Sequence, residues 1–319
     1  MSEEFEPTHA PPQTEEPAIV AFPLPDDSHI QTFHLENANL RGRIIRIGKV
    51  LNDIIKPHEF PTAVEALLAE AVTLSLLLGS MLKYEGVFIL QAQGDGVVKR
   101  VISDMTSKNE VRGTAGFDAE AFAQLPVKDS YTIKELMGSG YLAFTVDQGE
   151  YAERYQGIVE LQGDSLKSSI QHYFAQSEQI NTAINLATAR DENGNWRAGA
   201  IMLQHMPEHE KIPQDAKPIA ENWLRASILL ETCREDELLD PKLSDDTLLF
   251  RLFHEEGVRV FPEEKLTKGC RCTPEKLQNI LKTLSDDERT DAAVDGKITM
   301  TCEFCNRNFD FKPEEIGSQ

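Results

Sequence analysis

The sequence predicts an α+β protein with an antiparallel-sheet N-terminal domain containing helices, then a helical linker and a small C-terminal domain that carries most of the cysteines. Three observations carry this. Short stretches that alternate apolar and polar residues, parted by turns rich in Gly, Asp and Asn, run to about Pro213 and read as antiparallel strands. After them come two acidic amphipathic helices. From Lys268 onward lie four of the five cysteines, spaced C-x-C and C-x-x-C.

In chain order, Met1 to about Leu35 is rich in Glu and Pro without periodicity and is expected to be a disordered acidic tail over residues 1–35. The core domain is expected over 36–215. Its first strand is "NLRGRIIRIG", Asn39 to Gly48. "TAVEALLAEAVTLSLLLGSMLK", Thr62 to Lys83, has helical spacing after Pro61, with Thr62 as cap. Apolar on most faces, it is expected to be a central buried helix. "GVFILQAQG", "VVKRVISDM", "YLAFTVDQ" and "YQGIVEL" are strands. Ser165 to Ala189 reads as a helix, and "NGNWRAGAIMLQHM" as a hairpin on the turn signal "DENGN".

The linker, 216–267, holds "IAENWLRASILLETC" and "SDDTLLFRLFHEE", joined by "REDELLDPKL". Trp223, Leu224, Ile228, Leu249, Phe250 and Phe253 are its candidate latch or partner-binding residues. They are expected to pack on the core domain, with the cysteine unit holding the second helix. The acidic positions are a solvated face, whose self-repulsion would keep the linker marginally folded.

The formal net charge of −21 argues against free nucleic acid or an anionic membrane as partner. No Lys or Arg precedes Arg41, so a basic secretory start is missing. The longest apolar run, Ala71 to Leu82, is too short and interrupted to span a bilayer. A cytoplasmic protein is expected, and there clustered cysteines read as metal ligands or redox groups.

Residues 268–319 are too few to fold on apolar burial alone. Thr273 and Pro274 open a helix with Leu277, Ile280, Leu281 and Leu284 on one face. Asp295-Gly296 offers a turn, and "KITMTCEF" alternates like a strand. This brings Cys270, Cys272, Cys302 and Cys305 together, a donor set suited to one tetrahedral Zn²⁺. Structural zinc contributes roughly 10–16 kcal/mol in small peptides near neutral pH. A thioredoxin-type dithiol at Cys302 and Cys305 would need a following helix, but "NRNFDF" reads as a strand. A disulfide across C-x-C closes a very small ring and is readily reduced. Disulfides ligate zinc poorly, so such a site could release its metal on oxidation.

These motifs resemble the heat shock protein 33 family, the 33 kDa chaperonin. The specific match is "CRC" at Cys270 to Cys272 with "CEFCNRNFDF" from Cys302. "LRGR", "QAQGDG", "YQGIVEL", "YFAQSEQI", "MLQHMP" and "LLFRLFHEEGVRVF" extend the resemblance over the chain from about Asn39. It implies a redox-regulated holdase and no enzyme. The reduced, zinc-bound form is inactive. Oxidation forms the disulfides Cys270–Cys272 and Cys302–Cys305, zinc leaves, the linker unfolds, and the protein binds unfolding clients, typically as a homodimer. Thr273 and Ala200 stand where the family pattern has serine and glycine, and neither is a ligand.

The other class of function weighed is a constitutive zinc-ribbon adaptor for a protein partner. Catalytic zinc is disfavoured, because four cysteines leave no open coordination position. Cys233 reads as a half-buried helix cysteine. His205 and His209 are four apart, but Pro207 lies between them. Gly94 to Gly96 reads as a hairpin turn, and Ser139 lacks a nucleophile-elbow pattern.

Overall fold

The computed structural model describes residues 27–148, 155–178, 180–205, 219–313 and 316. The acidic tail over residues 1–26 lies outside them. The end of that expected tail is corrected: His29–Leu35 is a strand, β1, paired along its length with β2, Leu40–Ile47. Both faces of β1 are covered, so an alternating run survives beside a Pro- and Glu-rich stretch.

Helices α1 (Lys49–Ile55) and α2 (Thr62–Gly79) follow. Pro61, not Thr62, stands at the cap position of α2, and no side chain caps the helix. Every residue from Ala71 to Gly79 is buried, as expected for a helix apolar all round. By length and composition α2 could cross a membrane, which the apolar run alone did not suggest; 78% of it is buried inside the protein. It packs on strands of both large sheets, and each fully buried Leu contributes roughly 1.5–3 kcal/mol.

Strands β3 (Val87–Gly94), β4 (Val98–Thr106) and β5 (Glu110–Phe117) form a meander, with the Gly94–Gly96 stretch turning from β3 into β4. Two short helices, α3 (Ala119–Ala123) and α4 (Ile133–Met137), lead to β6 (Gly140–Asp147) and β7 (Tyr155–Glu160). Ser139, before β6, donates its backbone N–H to Asp95 at 2.8 Å, a structural bracket.

The expected helix from Ser165 to Ala189 is the largest error. Helix α5 covers only Leu166–Tyr173 and ends in a π-turn, Phe174–Glu178. Thr182–Arg190 is a strand, β8, paired with β9 (Trp196–His205) over its whole length. The Asp191–Asn195 turn joins them, with Gly194 at φ 76°. Pairing of β8 with β9 overrides the helix-favouring alanines and leucine of this segment.

The linker is three helices: α6 (Ile219–Glu231), α7 (Glu235–Leu239) and α8 (Asp245–Phe253). A strip of three short strands leaves it: β10 (Val258–Val260), β11 (Glu264–Lys265) and β12 (Thr267–Lys268). The cysteine unit contains α9 (Pro274–Leu281), α10 (Asp286–Asp291), β13 (Ile298–Thr301) and β14 (Asn308–Phe311).

The first sheet runs β10-β1-β2-β9-β8, with β11 also on β1; all these pairs are antiparallel. The second runs β12-β5-β4-β3-β6-β7, where only β12 is parallel to its neighbour. Between them α2 fills the main core. The outer face of the first sheet carries the linker over a second core of Phe33, Leu40, Ile44, Ile201, Leu203 and the helices above. Glycines permit this close approach. A Cβ on Gly42 would lie 2.1 Å from the Phe33 ring, and one on Gly199 would lie 2.9 Å from Leu238 of α7.

Candidate metal centre

Two loops build the centre. Cys270 and Cys272 lie between β12 and α9, where the Gly269 N–H donates to Val111 O at 2.9 Å and extends the seam with β5. Thr273 caps α9 by accepting from the Lys276 N–H, with Pro274 in the first turn. Cys302 and Cys305 form the turn between β13 and β14. That turn is closed by Asn306 N donating to Cys302 O at 2.8 Å, with Asn306 at φ 54°. Leu277, Leu281, Ile298, Phe311 and Ile316 make the unit's small core. Ile280, expected on the same face, is 53% exposed, because α9 turns only a narrow stripe inward.

The four sulfurs lie within 4.8 Å of one another. Cys270 Sγ is 3.3 Å from Cys272 Sγ and 3.7 Å from Cys302 Sγ, and Cys272 Sγ is 3.5 Å from Cys305 Sγ. Zn–S bonds of about 2.3 Å in a tetrahedron give sulfur–sulfur edges of about 3.8 Å. The donor set therefore fits one zinc ion, with the thiols standing for its thiolate ligands. Burial pushes against ionisation of Cys270, but hydrogen bonds from Cys272 and the other thiols outweigh it and bring its pKa to about 7. Cys272 and Cys305 shift upward, burial being the largest cause.

Both loops are seated on the second sheet. Arg271, between the first two cysteines, donates to Asp104 Oδ2 at 2.8 Å. Arg112 Nε donates to the same oxygen at 2.8 Å and lies 3.8 Å over the ring of Phe304, between the second two cysteines. Asp104 is 2% exposed. His58 meets Phe304 O at 3.3 Å, Asn306 donates to Pro57 O at 2.7 Å, and Lys268 donates to Asp53 O. Asp104 and Arg112 were not singled out by sequence; a charged pair in facing strand positions was the one signal available.

The expectation that the cysteine unit holds the second linker helix is corrected. The unit sits on β4, β5 and the α1–α2 turn. Helix α8 is held by the first sheet, α6 and β10. The two are joined through the β10–β12 strip, which pairs with β1 and then β5.

The latch residues divide. Leu249 and Phe253 are fully buried, and the Phe253 ring stacks on Phe33 at 6.0 Å. Trp223 is half-buried, 5.0 Å from the His205 ring. Leu224, Ile228 and Phe250 face outward at 60%, 52% and 63% exposure, contrary to the expected packing. Helix α6 turns Asn222, Ala226 and Leu230 inward instead; small Ala226 lets it lie close to the sheet, and Asn222 donates to Asn37 O at 3.4 Å. Cys233 is 5% exposed, with its thiol pushed up to about 11, first by burial and then by Glu237. His209 lies outside the described residues, so its pairing with His205 does too.

A two-sheet α+β core bearing a four-cysteine centre and a docked helical linker defines the class. The profile of the Hsp33 protein family matches residues 28–312. A 33 kDa chaperonin of Caulobacter vibrioides is 38% identical over 296 residues, covering 90% of this chain and 95% of its own. One from Pseudomonas fluorescens is 32% identical, covering 92% and 94%. The crystal structure of the 33 kDa chaperonin from Thermotoga maritima superposes with a TM-score of 0.75 at 23% identity, over 91% of this chain and 96% of that one, a likeness of fold. The chain belongs to the Hsp33 family.

Proposed function

We propose that this protein is a cytoplasmic, redox-regulated holdase chaperone that binds unfolding proteins and acts as a homodimer when oxidised. The observation that supports this most is the sulfur cage, in which ligands two and three residues apart in sequence are both zinc partners and potential disulfide partners. When bound, zinc supplies the cross-link that a unit with so small a core lacks. The chain's own residues do the rest. Arg271 and Phe304 seat the two cysteine loops on Asp104 and Arg112, and this keeps β12 paired with β5.

Oxidation by a peroxide takes two electrons from each cysteine pair. One thiol becomes a sulfenic acid as the peroxide O–O bond breaks, and the second thiol displaces water to close the disulfide. Cys270 pairs with Cys272, and Cys302 with Cys305. Four sulfurs in two disulfides no longer bind zinc, and the loops lose the shape that held Arg271 and Phe304 in place. The β10–β12 strip then frays, and α6–α8 leave the first sheet, exposing Phe33, Ile44, Ile201 and Leu203 to clients. The test is suppression of client aggregation by reduced and peroxide-treated protein, read beside zinc release. Equal protection by both would favour a constitutive adaptor or chaperone.

A further inference from the structure

The sheet face beneath the linker has a chemistry that apolar exposure alone does not explain. Its centre is apolar, but the strand residues pointing to the linker also include His29, Gln31, Arg46, Asn185 and Arg197, and none on this face of β1, β2, β8 or β9 is acidic. Each of the five contacts the linker through an electronegative atom. Asn185 donates at 3.1 Å to Leu230 O at the C-terminal end of α6 and at 2.8 Å to Cys233 O just beyond it. Arg197 Nε donates to Leu239 O at 2.9 Å, and Arg46 donates to Glu237 O at 3.2 Å and to Asp240 O, gripping the end of α7. At the start of α8, His29 Nε2 and Arg46 Nε reach the two Asp245 oxygens at 2.6 and 2.9 Å, and Gln31 donates to Asp246 at 3.4 Å. Asp27, just before β1, shares this rim by pairing with Arg197.

Carboxylates and helix C-terminal carbonyls are one electrostatic class: concentrated negative acceptors. Over residues 216–267 the linker that fills the face carries twelve Asp and Glu against seven Lys and Arg. Arg46 is 3% exposed, so any occupant that covers it without supplying acceptors leaves a buried guanidinium unpaired. The face therefore discriminates by charge as well as by apolarity.

We propose that this face is a recognition surface for acidic amphipathic segments of unfolding proteins, and that the linker occupies it as an internal stand-in for such a segment. The proposal rests on the holdase reading and names its client chemistry. Segments with an apolar stripe flanked by Asp or Glu bind best, and those flanked by Lys bind worst.

The test uses fluorescent peptides of residues 219–253 with Cys233→Ser: the acidic sequence, one with every Asp and Glu replaced by Asn and Gln, and one with them replaced by Lys. Each is titrated into the oxidised full chain and into a reduced, zinc-loaded Phe253→Asp chain, a variant expected to open its linker without oxidant. The acidic peptide binds at least tenfold tighter than the neutral one and the Lys peptide weakest, on at least one preparation. Arg46→Met in either background removes the preference while neutral-peptide binding remains. Equal affinity of the acidic and neutral peptides on both preparations overturns the proposal, as does absence of binding to both. Because the peptide comparison is made on chains with an intact Arg46, misfolding of Arg46→Met does not decide the outcome. Client protection by the oxidised chain without peptide preference refutes the surface and leaves the holdase reading standing. Preference on Phe253→Asp with no protection by the oxidised chain does the reverse.

Discussion

Replacing Phe253 with Asp, all cysteines intact, separates linker release from sulfur chemistry. Phe253 has no solvent exposure and stacks on Phe33, with Leu248 and Leu249 beside it. Truncating a buried Phe costs roughly 3–5 kcal/mol. A carboxylate at this position also faces an apolar wall, which adds a desolvation penalty of several kcal/mol unless it reaches water. Undocking α8 avoids that second cost. The linker's net margin is small despite its polar anchors, because ordering each residue costs roughly 1–2 kcal/mol, comparable to what each buried side chain returns. The reduced, zinc-loaded variant is expected to lose hydrogen-exchange protection over residues 219–256 while β2 and β9 stay protected, and to suppress client aggregation partly without oxidant. Linker protection and chaperone activity that both remain at reduced wild-type levels would show that Phe253 does not latch the linker.

Arg271→Glu places a carboxylate against buried Asp104, where the present pair is 2.8 Å apart. At an effective dielectric of about 20, charges 4 Å apart interact by about 4 kcal/mol, so seating weakens by an amount of that order. One zinc per chain should remain bound, while proteolytic cleavage between Lys265 and Lys268 speeds up at least tenfold; an unchanged cleavage rate contradicts the seating role. His29 carries a pH signature. Burial lowers its pKa, but Asp245 outweighs burial and holds it above the ordinary value. Its contribution to docking is therefore full below about pH 6.5, the unfolded value, and is lost as pH rises through the raised folded value. The urea midpoint of linker release should fall over that window in wild type and stay flat in His29→Gln; parallel pH profiles would refute the coupling. Cys302→Ser removes one thiolate from the cage and should retain less than one zinc per chain on metal analysis, with full retention counting against the four-cysteine site.

What sequence made legible follows from where a signal is local. Each cysteine loop is set by its own residues, so the C-x-C and C-x-x-C spacing located the cage. The α2 segment was legible because it is apolar all round. Thr182–Arg190 was not, since its strand state depends on pairing with β9 rather than on its own composition. The buried stripe of α6 has a related cause: Ala226 lies inward where the sheet leaves room only for a small residue, and Asn222 lies inward to donate to Asn37 O in the turn between β1 and β2, while larger Leu224 and Ile228 lie outward. Arg46 and Arg197 take their roles from partners between 42 and 194 residues away, and Asp104 binds Arg271 167 residues away, so beyond the facing Asp104–Arg112 pair no local pattern marks them.

One measurement tests the central claim most directly. Reduced protein is treated with peroxide while a chelating dye reports zinc and light scattering reports a heat-denatured client in the same cuvette. The expected result is release of one zinc per chain, with protection appearing as the metal leaves and vanishing when reductant and zinc are restored. Protection of equal strength before and after peroxide, or activation with all zinc retained, would contradict it.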